Sequence, residues 1–333
     1  MSNSIKLGAL ILLCVCAALA SLSIGALAIP FADILPALFG TGEANHVTIV
    51  QDLRAPRTVL ALIIGAGLGA SGAALQGYTR NPLADPGILG FSATAAFGAV
   101  LALYFGVRTW RIFGFNIDVV TTAALMGAGL GALLILAVAG RRQGATTLIL
   151  AGVGVGALAT ALTGLLMNFA PNPWALSEIV YWLMGSLRNS SYDGAVLCGA
   201  LTIIGLGLLL ISGPNLRTLS LGEDTARSLG VSLSRVRLLL VTGTALCVGS
   251  GVAAAGAIGF IGLFIPHIIR ALFGSDPARL IPLSALGGAG FLVLADTCAR
   301  MLSGQGTQIY LGILTALIGA PFFIWLALRE SRS

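Results

Sequence analysis

Charge is scarce in this chain: 9% of its 333 residues are Asp, Glu, Lys or Arg, and Lys6 is the only lysine. A soluble protein of this length could not cover its surface with 18 basic and 12 acidic side chains. Long polar stretches are also lacking, so no soluble domain is appended, and one integral domain over 1–333 is expected. The absence of basic runs excludes nucleic acid as a partner; the net charge of +6 comes from cations scattered singly. A phosphate-binding loop needs Gly-Lys-Ser/Thr, and Lys6 is followed by Leu7, so any nucleotide motor must be a separate polypeptide. The five cysteines (14, 16, 198, 247 and 298) all fall in or beside apolar segments. Cys14 and Cys16, two apart on a helix, point to different faces. They read as small packing residues, with no disulfide framework, no metal set and no cofactor expected.

What is abundant is apolar sequence: 57% hydrophobic residues and a mean hydropathy of +0.99. Only helices and closed barrels satisfy their backbone in lipid. The apolar runs are about 17–25 residues long rather than the roughly 10-residue alternating segments of a barrel, so they read as helices. The fold class is all-α, a polytopic membrane protein with about ten spans. These are Ile5–Ile29, Arg57–Tyr78, Leu89–Val107, Asp118–Gly140, Thr146–Ala170, Asp193–Ser212, Val236–Ala253, Ala257–Phe273, Leu280–Ala299 and Gln308–Leu328. The first is longer than a signal-peptide core and is read as retained. The eighth, with Gly256, Gly259 and Pro266, is expected to be short or half-crossing.

With the amino terminus inside, inner loops and ends carry Lys6, Arg80, Arg141, Arg142, Arg217, Arg227, Arg235, Arg237, Arg270, Arg279, Arg329 and Arg332. Arg54, Arg57, Arg108, Arg111, Arg188 and Arg300 stay outside, so both termini are expected in the cytoplasm. The 45 glycines, as in Gly65-Ala66-Gly67-Leu68-Gly69, suit close helix packing. Ser71-Gly72 and Ser250-Gly251 form a faint inverted echo.

Gradient-driven transporters keep carboxylates or histidines near the bilayer midplane. Here every acidic residue maps to a loop or helix end, and His267 reads as a helix-end hydrogen bonder. Paired catalytic groups at depth are missing as well, which argues against an intramembrane enzyme. The pattern points to a transporter worked by an external motor. Leu219–Gly230 reads as a short amphipathic helix with Glu223 and Asp224 in its first turn, Ala226 and Leu229 on one face, and Gly230 at its end. Its acids sit poorly beside anionic lipid, so it is expected to dock a partner. At the outer mouth, Arg54 and Arg57 flank Pro56 at a presumed helix start. There they oppose the helix dipole, which suggests an acidic partner. Arg300 sits at a helix carboxyl end, where a cation is favoured anyway.

These segments resemble, over nearly the whole chain, the permease subunits of ABC importers for iron-siderophore, haem and cobalamin, the FecCD/BtuC-like permeases. The likeness rests on Leu53–Arg57, Ser71–Gly77, Asn81–Gly90, Tyr181–Ser186, Leu221–Gly230, Gly256–His267 and Gly319–Phe323. It implies a homodimer of ten-helix subunits in a bacterial inner membrane, with the pathway on the two-fold axis. Two ATPase subunits would bind beneath and one periplasmic substrate-binding protein above. By this resemblance Leu221, Gly222, Glu223, Asp224, Ala226, Arg227, Leu229 and Gly230 form the helix seated in the ATPase. Arg54, Arg57 and Arg300 match positions that pair with the binding protein. Thr146 and Thr147 fall at the inner gate, and Leu150–Leu166 would line the channel. The family's Glu-Leu-Pro before the last span is Gln308-Ile309-Tyr310 here. Ferric siderophore is the first expectation for the cargo, with cobalamin or haem beside it.

Overall fold

A computed structural model describes residues 3–112, 115–140, 144–303 and 308–330. Arg141, Arg142 and Arg332, placed inside by the charge pattern, lie outside the described residues, as do the side chains of Arg111 and Arg329. Among the described residues there are thirteen helices. They are α1 (Asn3–Ser23), α2 (Phe31–Leu38), α3 (Ala44–Thr79), α4 (Phe91–Tyr104), α5 (Val119–Ala139), α6 (Ala145–Asn168), α7 (Pro173–Leu183), α8 (Tyr192–Leu219), α9 (Glu223–Ser228), α10 (Leu233–Ala255), α11 (Ile261–Phe273), α12 (Pro277–Leu302) and α13 (Leu311–Glu330). A hairpin, β1 (Thr109–Ile112) against β2 (Phe115–Asp118), joins α4 to α5.

Local chemistry sets many of these starts. Asp118, Asn172, Ser191, Ser232 and Asp276 each accept a backbone N–H from the first turn of the helix they precede. Pro173 and Pro277 open their helices, where a missing N–H costs nothing.

Each expected span meets a helix. Seven are long and apolar enough to cross a membrane, while Phe91–Tyr104, Ile261–Phe273 and Leu311–Trp325 are shorter apolar helices. The eighth span is short, as expected, because Phe260 takes a left-handed conformation (φ 69°) and helix begins only at Ile261. Boundaries moved elsewhere. The first helix stops at Ser23, and Ile29 folds back, its N–H donating to Ser23 O at 3.1 Å. The second starts at Ala44 rather than Arg57, continuing through Pro56 by way of a wider π-helical turn at Ile49–Arg54. Helix α8 runs through Pro214 to Leu219.

In their most apolar windows, α3, α10 and α12 have 78%, 72% and 61% of residues buried, against 22–33% in α1, α5, α6 and α8. The first three therefore form the centre, and the others turn apolar faces outward to lipid or a partner. Glycine permits the central crossing. A Cβ on Gly65 would come 2.2 Å from Gly288 O, and one on Gly69 2.0 Å from Ser284 O, so α3 and α12 touch backbone to backbone.

Long-range contacts within the chain sort the loops onto two end faces in the alternation read from the sequence. On the face holding the amino terminus, Lys6 Nζ donates to Leu272 O at 2.5 Å, Arg217 pairs with Asp276, and Arg237 donates to Gly140 O at 2.7 Å. On the opposite face Arg300 reaches Ser21 and Ile24, and Arg188 reaches Gln308.

Candidate functional site

The face opposite the amino terminus gathers the three predicted docking arginines, and it binds them inward. Arg57 grips Asp296 through both oxygens, with Nε to Oδ2 and Nη2 to Oδ1 each 2.8 Å. Arg300, one turn on from Asp296, brings Nε to 3.3 Å of Oδ2 as an ion pair. Its Nη atoms donate to Ile24 O, Ser21 O and Ser21 Oγ at 3.1, 3.1 and 2.7 Å. Arg54 donates from Nη1 to Leu22 O and Ser23 O, both 2.7 Å, and from Nη2 to Leu27 O. The last carbonyls of a helix lack intrahelical donors. Arg54 and Arg300 supply them for α1, placing cations at the negative end of its dipole.

This arrangement corrects two readings. Because α3 starts well before Pro56, Arg54 and Arg57 do not stand on a helix amino end, and no dipole opposes them. Asp296, taken as a helix-end carboxylate, is buried inside α12 at 1% exposure. Its spacing to Arg300 is a visible i,i+4 pair, whereas its partner Arg57 lies 239 residues away and leaves no local trace. Of the three arginine side chains, Arg57 has the largest exposure, 19%, against 12% for Arg300. Arg54 is buried.

On the other face, Gly222 (φ 111°) and Gly230 (φ 84°) bracket α9. Both conformations favour glycine, and they set the short helix off from α8 and α10. Ala226 is fully buried, and its carbonyl accepts the Val231 N–H at 2.9 Å. Leu229 does not share that face. The helix ends at Ser228, so Leu229 swings out, 62% exposed, beside Leu221 at 65%. With Asp224, Thr225, Arg227 and Ser228 also exposed, α9 presents an acidic and apolar knob. Glu223 faces Arg80 at 4.0 Å.

Thr146 and Thr147 occupy the first turn of α6, Thr146 exposed and Thr147 half-buried. One face of α6 is packed through Leu148, Ala151, Gly152, Gly156, Ala159 and Thr163. The other leaves Leu150, Val153, Leu158 and Leu165 exposed.

Sequence reasoning missed a cavity of about 1010 Å³ on the arginine side of the bundle. It lies between the ends of α4 and α10, the start of α5, α7, and Gln308 with Tyr310. Its lining includes Trp174, Tyr181, Trp182 and Tyr310, with Arg108, Glu178 and Arg188. The departure Gln308-Ile309-Tyr310 was the one sequence signal pointing there.

Known proteins resemble the chain over nearly its whole length. The model of the FecCD transport family matches residues 11–329. The chain is 40% identical to the cobalamin import system permease protein BtuC of Halobacterium salinarum, covering 90% of this chain and 78% of that one. It is 35% identical to the hemin transport system permease protein HmuU of Yersinia pestis, covering 98% and 96%. Among solved structures, an inward-facing conformation of a metal-chelate type ABC transporter superposes with a TM-score of 0.86 at 34% identity, covering 98% of this chain and all of that one.

Proposed function

The chain belongs to the FecCD transport family and is an ABC importer permease, and from that premise we propose that it passes a metal chelate inward under force from a separate ATPase. Two copies assemble around a central pathway, the free faces of α6 and α13 meeting across it. The face with the amino terminus is cytoplasmic, in a bacterial inner membrane, and both termini lie there. The proposal draws on the excess of basic residues at that face.

The observation that carries the reading is the α9 knob. A six-residue helix held by two left-handed glycines, with two leucines exposed at 62% and 65%, gains nothing from water. Its fit is a cleft on a partner, here each of two ATPase subunits. Closure of the ATPase pair on nucleotide would push α9, and α8 and α10 would tilt with it, switching the pathway from outward- to inward-open. Thr146 and Thr147 stand at the inner end of α6, where such a gate would close.

At the opposite face, Arg57, its side chain 19% exposed above Asp296, offers a cationic contact to acidic residues of a periplasmic binding protein. Arg57 is the contact, and Arg54 and Arg300 hold the surface in shape. The cargo is a ferric siderophore or a tetrapyrrole chelate. The second reading is favoured by the cobalamin and hemin named for the two relatives. No gradient coupling is invoked: Asp296 is occupied by two arginines at one end of the bundle.

Co-purification tests the motor assignment. The variant Leu229→Asp/Asp224→Arg is expected to fold but lose its ATPase subunit; full retention of the ATPase would refute the role of α9. Arg57→Glu should weaken binding-protein capture, and unchanged capture would count against the arginine face.

A further inference from the structure

The cavity of about 1010 Å³ is explained by neither docking face. Its volume is at the upper end of ligand pockets, which run about 300–1,000 Å³, so it suits something bulkier than a small metabolite. Two of the chain's four tryptophans and two of its five tyrosines line it. Tyr181 of α7 and Tyr310, just before α13, lie face to face with centroids 5.8 Å apart and planes within 7°. Trp174 projects beside them, 85% exposed. Ala253, Ala254 and Ala255 contribute no side chain beyond Cβ, so that part of the lining is flat.

The frame around the rings is rigid. Ser186 N–H donates to Ala255 O at 2.7 Å, and Leu311 N–H to Gly185 O at 3.0 Å. Gly256 lies so close that a Cβ there would stand 2.2 Å from Trp182 O. The rim is polar, and no metal-ligating cluster occurs among the described residues: Arg188 Nη1 donates to Gln308 Oε1 at 3.1 Å, and Asn189 also lines the cavity. A narrow annex of about 110 Å³ shares Asp118, Thr121 and Asn189 with the cavity and reaches Ser250.

Resting on the importer role above, we propose that this cavity is an outer holding site for the cargo, and that it selects flat, conjugated metal chelates by stacking on Tyr181, Tyr310 and Trp174. Ring faces attract other π-systems in offset stacks at centroid distances of about 4.5–7 Å. A flat alanine lining admits a planar ligand edge, and the amide and guanidinium rim meets its polar substituents. Membrane–water interfaces also collect Trp and Tyr, which there face lipid. Here Tyr181 and Tyr310 come from separate elements and meet each other over a cavity. Cargo held by stacking, with no ligand to its metal, can leave once the bundle tilts.

The test is ATP-driven uptake by the permease–ATPase complex in proteoliposomes, with binding protein loaded with hemin, a flat macrocycle, or with a ferric hydroxamate. Tyr181→Ala/Tyr310→Ala should slow uptake about tenfold, and Tyr181→Phe/Tyr310→Phe should restore it because stacking needs the ring alone. Should the double alanine variant fail to assemble, Trp174→Ala replaces it, since that exposed side chain supports little packing. Uptake at the wild-type rate in either alanine variant, or a phenylalanine variant as slow as the alanine one, overturns the site. Wild-type complex that moves the ferric hydroxamate but not hemin overturns the selectivity while sparing the importer role. Failure to move any chelate overturns the importer role itself.

Discussion

Asp296 ties Arg57 and Arg300 together at the outer mouth. It is buried and satisfied on both oxygens by Arg57, with Arg300 close by. Removing one member of a buried ion pair strands the others in low dielectric, at a cost of about 3–5 kcal/mol. Asp296→Ala should therefore lower the thermal midpoint of the detergent-solubilised protein by several degrees, and an unchanged midpoint would contradict the network. The exposed pair Arg217–Asp276 is a milder case. Its hydrogen bond from Arg217 holds the Asp276 carboxyl below its ordinary value of 3.8. A depressed carboxylate stabilises above its unfolded pKa, and that contribution fades as pH falls through the lower folded value. Asp276→Asn should thus matter little once the pH is below the lowered folded value and cost a fraction of the stability at pH 7, the pair being solvent-screened. A stability–pH curve on both proteins checks this. The arginines at the mouth were legible as anomalies in the charge pattern. Their internal partners were not, since main-chain carbonyls of Leu22, Ser23 and Leu27 carry no residue-specific signal.

Elements tell a different story, because periodicity and breakers are local. The ten apolar runs, the short α11 and the exposed short helix α9 could all be read from spacing, glycine and proline. Misplaced ends have physical causes. The π-helical turn before Pro56 lets α3 extend back to Ala44, and lipid-embedded α8 tolerates Pro214. The helices Phe31–Leu38 and Pro173–Leu183 escaped because they are too short to span and carry no long apolar run. The central crossing of α3 and α12 was foreseen only as glycine-rich packing; which glycines face which is a tertiary fact. Gly69→Val should abolish folded protein, as its Cβ would sit 2.0 Å from Ser284 O. Gly129→Ala, with nothing within 4 Å of its Cβ, should be neutral or slightly stabilising. Folded yield by size-exclusion chromatography distinguishes them, and equal yields would undo the packing account.

As a whole the molecule is a bundle whose two ends differ in purpose. One end carries the exposed short helix α9, proposed as the motor's contact, and the other an arginine network around Asp296 beside an aromatic cavity. Nothing among the described residues forms a metal cluster. The buried carboxylate sits at one end of the bundle, held by two arginines, and the proposed source of force is the separate ATPase. Proteoliposomes holding the permease with or without its ATPase subunit, and with loaded binding protein on the arginine side, measure this most directly. Chelate accumulation should require both ATP and the ATPase, and ion gradients alone should drive none. Sustained accumulation by the permease alone under a proton or sodium gradient would contradict the account.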